Sequence, residues 1–222
     1  MPDDISDELA VLAEPMAVTY SLDIARSHSA LPNDGFLSGC TVVVIGVGPL
    51  GLCHVIKARL LGAGLIIAID PSQLRLAWAA RLGADVTLDA RTESGDRLEA
   101  VRALTRGRGA DVVVECAGVP GAVLEGLELL RSGGTFIEVG NFVDTGTITI
   151  SPHRHLCAKN IRLIGMTNLA YVGFMPSLQL LQKHRAELPL NEMVTDRFPF
   201  EQAEAAVLRS MDPESIKVVI AP

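Results

Sequence analysis

The 222-residue sequence is short of positive charge and of closely spaced cysteines. Its 19 Lys and Arg residues are outnumbered by 26 Asp and Glu, and the net charge of -7 argues against binding to a nucleic acid. The four cysteines lie far apart, and three of them stand in apolar segments, which is typical of a reduced intracellular chain and not of a disulfide scaffold. We therefore expect a cytoplasmic protein without a nucleic-acid partner.

The sequence also lacks a pattern that would place it in a membrane. Its first ten residues (MPDDISDELA) are acidic where a signal peptide would be basic and then apolar. The stretch from Gly35 to Ile56 carries no charge and reaches the roughly 20 residues that span a bilayer. Three glycines and a proline interrupt its middle, however, so a strand, a tight turn and a helix explain it better.

From Cys40 onward, β-branched apolar runs alternate with helical patterns. The runs predict six strands, at Thr41–Ile45, Leu65–Ile69, Asp85–Leu88, Asp111–Glu115, Thr135–Val139 and Asn160–Gly165. Strands that alternate with helices of this length are typical of βαβ units with right-handed crossovers. The sequence therefore predicts an α/β fold, a Rossmann-type doubly wound parallel sheet of about six strands.

The chain divides into three parts. Residues 1–25 have a helical pattern, in which Pro15 is expected to break one helix into two. Residues 26–189 contain the predicted sheet. Residues 190–222 predict a strand, a helix and a last strand at Lys217–Ile220.

A glycine motif follows the first predicted strand, with the sequence Gly46-Val47-Gly48-Pro49-Leu50-Gly51. In a dinucleotide site the first glycine permits a tight turn, the second lets the backbone approach a pyrophosphate, and the third allows close packing of helix on strand. Pro49 opens the helix, whose free N–H groups and positive dipole end favour phosphate. A glycine-rich turn that merely leads into a helix is the alternative interpretation.

An acid and a basic residue follow the second predicted strand. Asp70, nineteen residues after Gly51, is placed to accept hydrogen bonds from the hydroxyls of an adenosine ribose and would repel a 2′-phosphate. The sequence therefore predicts NAD in preference to NADP. Arg75 is placed either to contact the adenosine or to point into solvent.

Small residues follow the fourth and fifth predicted strands. Cys116-Ala117-Gly118 and Val139-Gly140 would stand at the carboxyl edge of the sheet, where ligands of such folds bind. They would leave room for adenine and nicotinamide. Ordinary turn chemistry explains Gly118 and Gly140 equally well.

Several of these segments together resemble the medium-chain dehydrogenase/reductase family, in particular its zinc-dependent alcohol, sorbitol and threonine dehydrogenases. The matching segments are Glu14-Pro15, the glycine motif, GADVVVECAG at 109–118, LRSGGTFIEVG at 130–140 and the closing segment 198–220. The resemblance implies an oxidoreductase that transfers hydride between a small secondary alcohol and NAD. It also implies that residues 26–189 are the cofactor-binding domain.

The resemblance assigns roles to two residues of the first segment. It implies that Glu14 lies at or near a catalytic zinc and that Val18 packs against the nicotinamide. It further implies that residues 1–25 are a connector from a catalytic domain and that residues 190–222 return to that domain. The Gly-His-Glu segment and the C-x-x-C pattern of the family's zinc-binding parts do not occur here. We therefore expect an inactive fragment that does not hold zinc by itself.

Other functions can be weighed against this one. Neither tyrosine has a Lys four residues later, and no Gly precedes a Lys, which excludes a short-chain dehydrogenase and a P-loop. His153, His155 and Cys157 stand at alternate positions, as three zinc ligands on one face of a strand would. Pro152 favours a short helix instead, on which this spacing scatters the three side chains. Two alternative functions remain, a non-catalytic NAD(H)-sensing module and an S-adenosylmethionine-dependent methyltransferase.

The sixth predicted strand suggests an assembly. Its apolar residues Ile161, Leu163 and Ile164 resemble the edge that pairs across the two-fold axis in dimers of this family. An open apolar edge invites association, so we expect a homodimer. Coverage of this edge by the C-terminal tail is the alternative.

Overall fold

The computed structural model describes residues 5–27, 38–167 and 170–221 and contains a parallel sheet of six strands. The order across the sheet is β3-β2-β1-β4-β5-β6. The strands are β1 (Thr41–Ile45), β2 (Leu65–Asp70), β3 (Val86–Asp89), β4 (Ala110–Glu115), β5 (Leu130–Glu138) and β6 (Arg162–Gly165). The predicted α/β fold with a six-stranded Rossmann-type sheet is therefore confirmed.

Helices cover both faces of this sheet. They are α1 (Asp7–Ala10), α2 (Ala13–Val18), α3 (Tyr20–Ser27), α4 (Pro49–Leu60), α5 (Gln73–Arg81), α6 (Ser94–Leu104), α7 (Pro120–Leu129), α8 (Ala170–His184) and α9 (Ala203–Ser210). Within the described ranges, no helix is both long and apolar enough to cross a membrane.

Two hydrophobic cores result from the alternation of side chains along each strand. Val42 and Val44 of β1 face one core, which they share with residues of α1–α5 and α8. Val43 and Ile45 face the other core, which α6 and α7 close. All five residues of β1 are buried because both faces of the sheet are covered, as the unbroken β-branched run predicts.

The first part of the chain is divided into short helices, and the break lies just before Pro15 and not at it. The helical pattern is interrupted between α1 and α2 and again at Thr19, whose hydroxyl donates to Met16 O at 2.6 Å. Pro15 instead lies in the first turn of α2. A missing N–H costs nothing there, because the first N–H groups of a helix have no partner within the helix. The break includes Val11, whose carbonyl the ring of Pro15 would meet in a continuous helix, so the predicted division into short helices is confirmed.

The last part of the chain forms a small sheet of its own. Strands β7 (Val194–Phe198) and β8 (Lys217–Ile220) pair in parallel, with α9 as the connection between them. The predicted strand, helix and strand of the tail are confirmed. Strand β5, in contrast, begins five residues before its predicted start, because Leu130 already pairs with Ala110 of β4.

Candidate functional site

The glycine motif forms a tight turn between β1 and α4. Gly46 has a φ of +81°, and a Cβ there would lie 2.5 Å from the backbone N of Ala117. A Cβ on Gly51 would overlap the carbonyl oxygen of Gly46 and touch Val44. Glycine is therefore required at both positions for the turn, the helix and the loop after β4 to come together.

The start of α4 presents unpaired backbone donors. Gly48 is the N-cap residue, and its carbonyl accepts from Leu52 N at 2.9 Å. Pro49 has no N–H, so the first-turn amides that remain are those of Leu50 and Gly51. Gly48, Pro49 and Leu50 are half-buried, which leaves this helix end accessible to an anion.

Asp70, at the end of β2, is hydrogen-bonded to this turn. Its Oδ2 accepts from Val47 N at 2.8 Å and its Oδ1 accepts from Ser72 N at 2.8 Å. The side chain is 2% exposed, yet it lines a cavity of about 500 Å³ at the carboxyl edge of the sheet. Each carboxylate oxygen can accept more than one hydrogen bond, so Asp70 keeps acceptor capacity toward that cavity.

Arg75 extends from the first turn of α5 toward the glycine turn. The nearest atom to a Cβ built on Gly48 is Nη1 of Arg75, at 3.8 Å. Within the part of the chain that the structure describes, the buried Nε of Arg75 has no hydrogen-bond partner. A buried donor without a partner costs free energy, so this guanidinium is suited to receive an acceptor from a ligand.

Two cavities flank the N-terminus of α4 and collect most of the residues that the sequence singles out. The cavity beside Asp70 contains Gly46, Gly48, Asp70, Arg75, Cys116 and Ala117. A second cavity of about 520 Å³ contains Glu14, Val18, Pro49, Leu50 and Val139. Gly51, Gly118 and Gly140 line neither of the two cavities.

Gly118 and Gly140 hold two loops against each other. Gly118 has a φ of +68°, and a Cβ there would lie 2.6 Å from the carbonyl oxygen of Gly140. A Cβ on Gly140 would overlap Oε2 of Glu115. The close approach of the loops after β4 and β5 therefore requires these glycines.

Two carboxylates beneath these loops are absent from the sequence prediction. Glu115 and Glu138 end β4 and β5 and are partners in the register of the sheet. Burial of Glu115, together with the neighbouring Glu138, raises the pKa of Glu115 to about 8. Burial and the two carboxylates also raise the pKa of the Cys116 thiol, which is therefore un-ionised at neutral pH.

Charged residues from distant segments complete both cavities. Arg97 of α6 donates from Nε and Nη2 to both oxygens of Glu125 of α7, at 2.7 and 2.6 Å, and the pair lines the Asp70 cavity. Lys217 of β8 lines the second cavity together with Glu14. The sequence offers no spacing signal for these residues, because each comes from a separate element.

The residues present do not fit a catalytic zinc, which takes three protein ligands. Glu14 is exposed, and no group of three or more His, Cys, Asp or Glu residues in the described ranges could hold a metal. Residues Pro152–Cys157 form a single helical turn of the π type. His155 there accepts from Ser151 N through Nδ1 and contacts Glu128 through Nε2, at 2.9 and 3.0 Å.

Comparison with known proteins places this geometry in a family. The model of the family described as zinc-binding dehydrogenase matches residues 49–182. L-threonine 3-dehydrogenase of Symbiobacterium thermophilum is 32% identical over 221 residues, which are 99% of this chain and 59% of the relative. Sorbitol dehydrogenase of Halalkalibacterium halodurans is 31% identical over 223 residues, 100% of this chain and 61% of the relative.

Solved structures agree with the sequence comparison. An alcohol dehydrogenase from Thermotoga maritima superposes with a TM-score of 0.83 at 31% identity, over 98% of this chain and 59% of that structure. The chain thus spans about three fifths of the length of these relatives. It belongs to the zinc-binding dehydrogenase family and corresponds to the cofactor-binding portion of such enzymes.

Proposed function

We propose that this chain binds NAD as part of a dehydrogenase that transfers hydride between a small secondary alcohol and the cofactor. One observation carries the proposal: the open start of α4 lies between two cavities, one of which is lined by Asp70 and by Arg75, whose Nε has no partner among the described residues. A dinucleotide needs this arrangement, since its pyrophosphate binds at a helix N-terminus and its two nucleosides lie on either side.

Each predicted site residue receives a place in this proposal. The glycine turn and the start of α4 (Gly46, Gly48, Pro49, Leu50, Gly51) receive the pyrophosphate. Asp70 and Arg75 bind the adenosine ribose, Cys116 and Ala117 form the wall beside the adenine, and Gly118 shapes the loop that carries them. Val18 and Val139 lie at the nicotinamide, with Glu14 at the outer rim of the same cavity, and Gly140 shapes the loop behind Val139.

The substrate class follows from the relatives. Their names specify threonine, sorbitol and arabitol phosphate, each a secondary alcohol or a polyol derivative. We assign the same class to the whole enzyme of which this chain forms the cofactor-binding portion. Because the described residues do not form a zinc site, we assign no catalytic step to this chain.

The proposal divides the chain by task. Residues 1–25 connect to the catalytic part, residues 26–189 bind the cofactor, and residues 190–222 return toward the catalytic part. The separate pairing of β7 with β8 supports the last boundary. The wide spacing of the cysteines supports a cytoplasmic location.

We also propose a homodimer that pairs through β6. This strand has one neighbour in the sheet, β5, and its Leu163 is 51% exposed. A short apolar edge strand of this kind can extend the sheet across a two-fold axis.

Calorimetric titration of the purified chain with NAD, NADP and S-adenosylmethionine tests the cofactor. We expect NAD to bind and S-adenosylmethionine not to bind, because only a pyrophosphate uses the start of α4. Incubation with NAD, zinc and either sorbitol or threonine should yield no NADH. Binding of S-adenosylmethionine alone would refute the proposal, and zinc-dependent NADH formation would refute the assignment of no catalytic step.

A further inference from the structure

Glu115 and Glu138 each hold the loop that follows their own strand. Oε1 of Glu115 accepts from the amides of Ala117 and Gly118 at 2.8 and 2.9 Å. Oε1 of Glu138 accepts from the amides of Gly140 and Asn141 at 3.1 and 2.9 Å. The two carboxylates therefore act in the same way on the two loops that line the cofactor cavities.

The two carboxylates lie side by side beneath the loops and share Asn141 as a hydrogen-bond donor. Glu115 and Glu138 are register partners on adjacent parallel strands, so their side chains lie next to each other on the same face of the sheet. The amide Nδ2 of Asn141 donates to Oε2 of Glu115 at 3.3 Å and to Oε1 of Glu138 at 3.1 Å. Oε2 of Glu138 is buried and has no donor among the described residues.

Two ionised carboxylates in this position would repel each other. Glu115 is fully buried, so water cannot screen the repulsion. Cys116, beside Glu115, stays un-ionised and contacts His54, and the exposed Asp144 lines a cavity of about 560 Å³ with Glu138. One proton between the carboxylates would remove the repulsion and give Oε2 of Glu138 its missing hydrogen bond.

We propose that Glu115 and Glu138 are positioning residues for the cofactor, which share one proton and thereby fix the loops 116–118 and 139–141 against each other. Loss of this proton separates the carboxylates, and the loops then no longer hold the shape that the cofactor requires. The inference rests on the proposed NAD binding, but the state of the pair can also be measured without any cofactor.

The first test is the dependence of NAD affinity on pH, measured by calorimetry with this chain. With a pKa of about 8 for Glu115, the dissociation constant should rise about tenfold between pH 7 and pH 9. The pyrophosphate of NAD does not titrate in this range, so the change reports on the protein.

Glu138→Gln is the variant that separates this proposal from a general structural role. Its carbonyl oxygen keeps the bonds from Gly140 and Asn141, and its amide donates to Glu115 in place of the shared proton. The ratio of dissociation constants at pH 9 and pH 7 should therefore fall to within about twofold. Glu138→Ala, which removes the acceptor, should weaken binding at both pH values.

The second test uses the chain without cofactor. Because the pKa of Glu115 is raised in the folded state, the folded protein keeps a proton that the unfolded chain has lost. Stability should therefore decline from about pH 5 to about pH 8, by up to tenfold in the folding constant per pH unit. Urea denaturation should show a smaller decline for Glu138→Gln.

The outcomes distinguish the two proposals. A wild-type profile that is flat for both affinity and stability, or a Glu138→Gln profile that matches the wild type, would overturn the shared proton. If the wild type does not bind NAD at any pH, the proposed function fails, and the stability profiles alone then decide for or against the pair.

Discussion

Substitution of Asp70 by Ser would test the cofactor preference at the residue that carries it. Asp70 accepts two backbone hydrogen bonds, from Val47 N and Ser72 N, and has further acceptor capacity toward its cavity. A 2′-hydroxyl can donate to this carboxylate, whereas a 2′-phosphate is repelled by it. We expect the wild type to prefer NAD over NADP by more than about tenfold, or about 1.4 kcal/mol.

The substitution should change both selectivity and stability. A serine hydroxyl at position 70 is too short to keep both backbone bonds, so at least one buried amide loses its acceptor. The expected cost is about 2–3 kcal/mol of unfolding free energy. The preference for NAD should fall to about twofold or less, because the repulsion is gone and the Nε of Arg75 becomes available to a 2′-phosphate.

Selectivity can be measured despite the loss of stability. Both cofactors bind the same folded fraction of the variant, so unfolding cancels in the ratio of the two dissociation constants. Calorimetric titration with NAD and NADP gives this ratio, and urea denaturation gives the stability. Asp89→Ser is the control, since Asp89 ends the neighbouring strand in register with Asp70 but does not line the cavity. Equal affinities in the wild type, or an unchanged preference in Asp70→Ser, would refute the reasoning.

Two further predictions concern stability and assembly. Glu125→Ala should lower the unfolding free energy by about 3–5 kcal/mol, because the guanidinium of Arg97, 7% exposed, loses its counter-charge. Glu192→Ala, which breaks the exposed pair with Arg81, should cost less than about 1 kcal/mol, and equal losses in urea denaturation would contradict this difference. Leu163→Lys should convert the proposed dimer to a monomer, because a charge on β6 opposes pairing of this edge. Light scattering measures the change, and a wild type that is already monomeric at high concentration would exclude the dimer.

The sequence predicts the part of the fold whose determinants are local. The strand β1, the glycine turn and α4 follow from one continuous segment in which β-branched residues, glycines and a proline each have a single role. The start of α5 is also set locally, since the hydroxyl of Ser72 accepts from Arg75 N at 3.3 Å within the first turn. These elements could be placed within one or two residues because no distant contact is needed to decide them.

The carboxylates of the site could not be predicted, because their roles depend on strand register. Glu115 and Glu138 stand 23 positions apart, each within a segment that carries the family resemblance, and nothing in either segment indicates that the two side chains meet. Only the parallel pairing of β4 with β5 brings them together. Burial then raises the free-energy cost of ionising both carboxylates. Lys159 illustrates the same limit, since its ammonium donates at 2.7 Å to Leu127 O near the end of α7, 32 positions away. A sequence pattern indicates which side chains a strand or helix carries on each face. The free energy of a buried charge depends instead on the groups that another element places opposite it.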